Sequence, residues 1–280
     1  MQEQKISIGY SPCPNDTFVF FGLMYGHVAI EEISLQKEVL ADVETLNSWA
    51  FEGRLDVTKL SFHALGHVLD QYVMLRSGSA LGRGCGPLLV AGDSVNSAEI
   101  ADLTVAIPGR YTTAAALLKQ FAPFCNRLVE MRFDEIMPAI SSGKVDCGVI
   151  IHESRFTYEQ MGLQLVVDLG DWWEKETGRA IPLGCIAAKR SLGVEVIKAI
   201  DSAIEASIHW AQAHRNLCMD YIRKNAQELD DTIILEHIHL YVNDFTEQIG
   251  VEGLAAVKAF MERGRSIGIL PEPTEALTWK

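Results

Sequence analysis

Short apolar runs alternate with amphipathic segments along most of this chain, and that alternation constrains its fold more than anything else in the sequence. A strand-like run over 6–10 leads through the turn Ser11-Pro-Cys-Pro-Asn-Asp16 into an apolar helical stretch over 17–25. Further strands are expected over 33–39, 56–60, 72–75 and 87–91, with helices opening at Asp42 and at Ser61. Val43, Leu46, Trp49 and Ala50 fall on one face of the first of these helices at 3-to-4 spacing. Strands separated by helices are joined by crossovers rather than hairpins, so the pattern calls for a parallel or mixed sheet covered by helices. The rhythm restarts near Leu103, with strands over 104–107, 128–132, 147–151 and 163–169 and helices over 114–121 and 133–141. An extended stretch over 180–189 then carries the chain back, and the remainder is helical. Ile197, Ile200, Ile204, Ile208 and Ala211 stripe one long helix over 194–214, followed by helices over 217–225, 231–241 and 252–264.

The fold class expected from this order is α/β, with two lobes, an inter-lobe cleft and a helical C-terminal region. Lobe I would comprise residues 1–91 and 186–280, and lobe II residues 92–185, with crossings near 91–93 and 183–186. Ligand pockets are common between such units.

Composition narrows the function. Of 280 residues, 48% are apolar, enough for packed cores. A formal net charge of −13 would repel a phosphate backbone and argues against nucleic acid. Cys13, Cys85, Cys125, Cys147, Cys185 and Cys218 form no CxxC pair, and they read as buried free thiols in a reducing compartment. No apolar leader precedes the first strand, and no run approaches the roughly 18–20 apolar residues that span a bilayer. The expectation is a cytoplasmic protein with no membrane partner.

Chemistry concentrates at strand-to-helix junctions. Val145-Asp-Cys-Gly-Val-Ile-Ile-His152-Glu-Ser-Arg155 ends an apolar run on a lone histidine. Open α/β sheets bind ligands beyond the carboxyl ends of their strands, and imidazole titrates near neutrality, so His152 is the candidate general base. In Ser11-Pro-Cys-Pro-Asn-Asp-Thr17 two prolines stiffen a turn that Asn15 or Asp16 would cap. In Thr58-Lys59-Leu60-Ser61, Ser61 is a natural N-cap whose helix start suits a carboxylate; Lys59 would add charge or lie on the solvated surface. Gly109-Arg-Tyr-Thr112-Thr113-Ala114 offers a second helix start of the same kind. Gly78-Ser-Ala-Leu-Gly82-Arg-Gly84-Cys-Gly86-Pro87 lacks the GK[ST] ending of a phosphate loop and reads as a tight turn lining the cleft. His63 and His67 have zinc-like i, i+4 spacing, but Ala64 stands where HExxH needs glutamate. His237 and His239 diverge by about 200° on a helix, too far to share an ion. No histidine neighbours Cys13 or Cys85 in sequence.

Taken together, Ser11-Pro-Cys-Pro-Asn-Asp-Thr-Phe18, Asp42-Val-Glu-Thr-Leu-Asn47, Thr58-Lys-Leu-Ser61, Gly82-Arg-Gly-Cys-Gly-Pro87, Pro108-Gly-Arg-Tyr-Thr-Thr113 and Ile150-Ile-His-Glu-Ser-Arg-Phe-Thr157 resemble the 1,4-dihydroxy-6-naphthoate synthases of the futalosine route to menaquinone. The resemblance implies a fold like the periplasmic binding proteins of the second type. It implies a lyase that converts cyclic dehypoxanthinyl futalosine, a small anionic substrate, to 1,4-dihydroxy-6-naphthoate without metal or organic cofactor. The family's base falls on His152, and its substrate-contacting turns fall on Lys59, Leu60 and Ser61 and on Thr113 and Ala114, with Thr112 added as the cap. The competing readings are a small-anion solute-binding protein and chorismate dehydratase, a sibling enzyme of the same pathway.

Overall fold

The computed structural model describes residues 4–93, 95, 97–226 and 230–279; the extremities of the expected lobe I, residues 1–3 and 280, lie outside them. Two sheets carry the two lobes. In the first, the strand order is Val39–Leu40, Ile8–Tyr10, Val57–Ser61, Ile181–Lys189, Tyr72–Met74, and Ala80–Gly82 also pairs with Ile181–Lys189. The first three strands are parallel, joined by helices as the alternation requires. Ile181–Lys189 returns antiparallel between Val57–Ser61 and Tyr72–Met74. In the second sheet the order is Leu128–Glu130, Val105–Ile107, Cys147–Ile150, Leu88–Ala91, Gln164–Asp168, parallel for the first three strands and antiparallel thereafter.

The strand Leu88–Ala91 therefore belongs to the second sheet, not to the first lobe as its place in the sequence rhythm suggested. The chain changes sheets between Gly82 and Leu88 and again between Asp168 and Ile181. The turn that makes the first change is the glycine-dense segment, and Gly86 in it has a steric reason. A Cβ on Gly86 would stand 2.3 Å from the Gly170 Cα, so backbone packs directly on backbone where the lobes join. The strand expected over 33–39 is interrupted. Ile33–Leu35 pairs with Gln4–Ile6 and Val39–Leu40 with Ile8–Tyr10, while the polar Gln36 and Lys37 between them are exposed.

The helix expected from Thr17 begins earlier, at Pro14, and runs Pro14–Met24. Proline is pre-set for the first helical position, where no N–H is needed. Cys13 is the N-cap and supplies no side-chain bond, so neither Asn15 nor Asp16 caps the helix. Both sit inside its first turn, with their side chains left for other work. The C-terminal helices pack against this one. Val194–Ala213 buries the predicted stripe, Ile197, Ile200, Ile204, Ile208 and Ala211, each 2% exposed or less. Ser207 on that helix donates to the Val19 carbonyl at 2.6 Å and accepts the Leu23 amide at 3.0 Å, close to Gly22. The helix Asp231–Tyr241 packs against the Pro14–Met24 helix and presents His237 and Tyr241 to the cleft. Among the described residues no helix is long and apolar enough to cross a membrane. All six cysteines are free and buried.

Candidate active site

Between the lobes lies a pocket, the kind of place where small organic molecules bind. Its wall on the first lobe is made by Ser11, Asn15, Asp16, Lys59, Ser61, His237 and Tyr241, and its wall on the second by Thr112, Thr113, Ala114, Ile151 and His152. The inter-sheet turn Cys85-Gly86-Pro87 and the strand residues Leu183 and Gly184 close the rest.

The first-lobe wall is a continuous hydrogen-bonded network. Lys59, predicted as charge at a strand end or as a solvated group, is 6% exposed, and its Nζ lies 2.6 Å from Asp16 Oδ1. Asn15 donates to the same carboxylate at 2.9 Å, and Ser11 donates its hydroxyl at 2.7 Å and its amide at 3.3 Å. His237 Nε2 lies 3.0 Å from Asn15 Oδ1. A buried ion pair is tolerable only when its remaining lone pairs and protons are satisfied, and the first turn of the Pro14–Met24 helix meets that condition while its dipole favours the Asp16 carboxylate.

The second-lobe wall is built differently. His152 follows the strand Cys147–Ile150 in a left-handed conformation, φ +57°, which only a few per cent of non-glycine residues adopt. The next turn fastens it: Arg155 donates to the Gly86 carbonyl and pairs with Asp168 at 2.9 Å. The imidazole is half-buried, edge-on to Phe133, with Nδ1 3.4 Å from Cys13 Sγ. The ring lines the cavity. Burial drives its pKa down from 6.5 to about 4, a trend that Lys59 reinforces and Asp16 opposes. At neutral pH the ring is uncharged and keeps a lone pair, as a base requires. Burial by contrast pushes the Cys13 thiol well up, and Glu153 adds to this, so the sulfur stays protonated.

The helix start at Thr112 has the expected cap. Thr112 Oγ1 accepts the Ala115 amide at 3.2 Å, and the amides of Thr113 and Ala114 precede it in the first turn, on the cavity wall. Ser61 departs from expectation. Its hydroxyl caps nothing, and its amide is already held by Asn47 Oδ1 at 2.9 Å, with Asn47 Nδ2 returning a bond to the Ser61 hydroxyl at 3.1 Å. Leu60 does not line the cavity. It alternates onto the other face of its strand, fully buried in the core. Lys59, Ser61, Thr112, Thr113, Ala114 and His152 do converge on one space.

Sequence reading missed His237, Tyr241 and the Cys13–His152 contact. Each depends on chain segments more than a hundred residues apart meeting at the cleft. The only signal available was the cysteine inside a proline-stiffened turn at a strand end. The zinc-like pair His63 and His67 is elsewhere, behind the Thr112 helix start. Both His63 nitrogens are engaged, with the Thr112 and Ile269 carbonyls at 3.3 Å each.

The lobes are hydrogen-bonded across the cleft. Thr113 Oγ1 donates to the Leu183 carbonyl at 2.5 Å, and Glu44 accepts the Tyr111 amide at 2.9 Å. Gly109 lies against Glu44 at φ +141°, where a Cβ would come within 2.4 Å of the Glu44 side chain.

Comparison with known proteins agrees with this architecture. The alkanesulfonate-binding protein SsuA from Xanthomonas axonopodis pv. citri, solved bound to MOPS, superposes with a TM-score of 0.74 at 10% identity, over 100% of this chain and 99% of that one. At that identity the likeness establishes the fold, which is that of the periplasmic binding proteins. A 1,4-dihydroxy-6-naphthoate synthase from Thermus thermophilus is 49% identical over 271 residues, 96% of this chain and 98% of the relative. One from Streptomyces coelicolor is 41% identical over 276 residues, 97% of this chain and 96% of the relative. A family model described as menaquinone biosynthesis matches residues 6–266. A full-length match at these identities, on a two-lobed scaffold with a pocket between the lobes, places this chain in the menaquinone-biosynthesis family, among the 1,4-dihydroxy-6-naphthoate synthases.

Proposed function

We propose that this enzyme of menaquinone biosynthesis is a carbon–carbon lyase that cleaves cyclic dehypoxanthinyl futalosine to 1,4-dihydroxy-6-naphthoate and a ribose-derived fragment, with His152 as general base. The observation that carries the reading is the position and state of one ring. His152 is held in a left-handed turn, lines the cavity between the lobes, and is neutral at pH 7 because burial disfavours its cation.

The substrate is a partly reduced bicycle bearing a carboxylate, and aromatisation of the new ring drives its cleavage. The enzyme must place a base, hold the anion and keep water away. His152 Nε2 takes the proton that opens the sugar ring. The carbon–carbon bond then breaks as the naphthalene system forms. The amides of Thr113 and Ala114, at the positive end of the Thr113–Phe121 helix, hold the carboxylate. Lys59 is already neutralised by Asp16, so that pair works as a fixed polar template for substrate oxygens rather than as a free cation. The cross-cleft bonds from Thr113 and Glu44 hold the lobes together around reactive intermediates.

Purified protein incubated with cyclic dehypoxanthinyl futalosine, and separately with chorismate, tests the reading by naphthoate absorbance. Naphthoate formed from the first substrate alone supports it. Turnover of chorismate, or tight binding of the futalosine with no product, would overturn it in favour of the dehydratase or of a solute-binding protein.

A further inference from the structure

Cys13, His152 and Glu153 bring three metal-binding donor types together beside the cavity, with one atom from each lying within 4.8 Å of the others. A tetrahedral zinc ion bonds sulfur at about 2.3 Å and imidazole nitrogen at about 2.0–2.1 Å, which sets the two ligand atoms about 3.5 Å apart. Cys13 Sγ and His152 Nδ1 are 3.4 Å apart. The thiol comes from the turn that starts the Pro14–Met24 helix on one lobe, and the imidazole and carboxylate come from consecutive residues on the other. The three donors are thus assembled only where the lobes meet.

We infer that Cys13, His152 and Glu153 form an inhibitory site for a thiophilic divalent cation such as Zn²⁺, which bridges the two lobes and silences the cavity histidine. On binding, the Cys13 thiol gives its proton to solvent, and the thiolate, the Glu153 carboxylate and His152 Nδ1 each donate a lone pair to the metal. No redox change occurs, and the two anionic ligands balance the ion's charge. A fourth position remains for water or a substrate oxygen. Inhibition follows from imidazole chemistry. A neutral ring with its metal on Nδ1 must carry its proton on Nε2, and Nε2 is the nitrogen proposed above to take the substrate's proton. The base is then a donor with no lone pair to offer. This consequence for turnover rests on the proposed role of His152; the metal site itself does not.

Titrating the metal-free, full-length protein with Co²⁺ tests the site without any turnover assay. The expected result is one ion per chain with a thiolate-to-cobalt charge-transfer band in the near ultraviolet. The band should be lost in Cys13→Ser, and affinity should fall at least about tenfold in Glu153→Gln, where a charged ligand becomes a neutral one. Folding of both variants is checked by their thermal transitions, and Glu153→Gln, which keeps the side-chain shape, serves if Cys13→Ser does not fold. Absence of the band in the wild type, its persistence in Cys13→Ser, or unchanged affinity in Glu153→Gln would overturn the site. In parallel, Zn²⁺ should suppress naphthoate formation over the range in which it displaces Co²⁺, with recovery on adding EDTA. Full activity in zinc-saturated enzyme would overturn the inhibitory role while leaving the site standing. Wild-type protein that makes no naphthoate at all would count against the proposed function rather than against the metal site.

Discussion

The two walls of the cavity are built on different principles. On the first lobe, Ser11, Asn15, Asp16, Lys59 and His237 are knitted into one network around a buried ion pair. On the second, His152 stands in a left-handed turn beside a thiol and the Phe133 ring, and the Thr112 helix start offers backbone amides. One wall spends its polar side chains on one another; the other ties up its hydroxyls at the helix start and presents an imidazole and the first backbone amides of a helix. The first is a rigid template, the second carries the reactive atoms, and damage to each should read out differently.

The largest effect is expected at the reactive wall. His152→Ala should lower kcat by about 10²–10⁴-fold, the usual contribution of a general base, with the thermal transition nearly unmoved. Steady-state kinetics and calorimetry on one sample check both halves, and near-wild-type turnover would remove the contrast. Lys59→Met should do the opposite in kind. It leaves Asp16 buried without its cation and should cost about 3–5 kcal/mol of stability, measurable by denaturant unfolding. A loss below about 1 kcal/mol would mean that the first-lobe wall is not the template described. The paired change Lys59→Met with Asp16→Asn should recover part of that loss, because the stranded charge is gone.

The seam between the walls should show itself in acid. Burial drives His63 from 6.5 down to about 4, with neighbouring His67 acting in the same direction. Above pH 6.5 both folded and unfolded forms are neutral there, and the stability is fully present. As pH falls from 6.5 toward 4 the unfolded chain takes up the proton first, so stability drops by at most about 1.4 kcal/mol per pH unit for this residue, and levels off below about 4. Unfolding measured across that window should be flatter for His63→Asn than for the wild type. The smallest expected effect is at the cap. Thr112→Ala removes the bond to the Ala115 amide and should cost about 1 kcal/mol, and the same change should raise KM more than it lowers kcat if that helix start holds the substrate's anion. An unchanged KM would confine Thr112 to capping.

Much of the site was readable because strand ends and helix starts are local events. His152 after an apolar run, Thr112 before a small-residue helix and Asp42 as a cap each follow from a few neighbouring residues. Asp42 does accept the Glu44 and Thr45 amides at 3.1 Å. Leu60 was misplaced because a motif names consecutive residues, whereas a strand turns alternate ones to opposite faces. Ser61 was misread because its amide partner, Asn47, comes from the preceding helix. Leu88–Ala91 was assigned to the wrong lobe because an apolar strand carries no mark of which sheet it joins.

The alternation of segments, the long isoleucine stripe and the caps at Asp42 and Thr112 were set by the sequence alone, since periodicity and capping act over a few residues of chain. Only the tertiary structure decided that Lys59 would be buried against Asp16, that His237 would reach Asn15 across 222 residues, and that a thiol from one lobe would meet an imidazole from the other. Those are contacts between surfaces that exist only once both sheets have formed, and their energy depends on how completely the cleft excludes water.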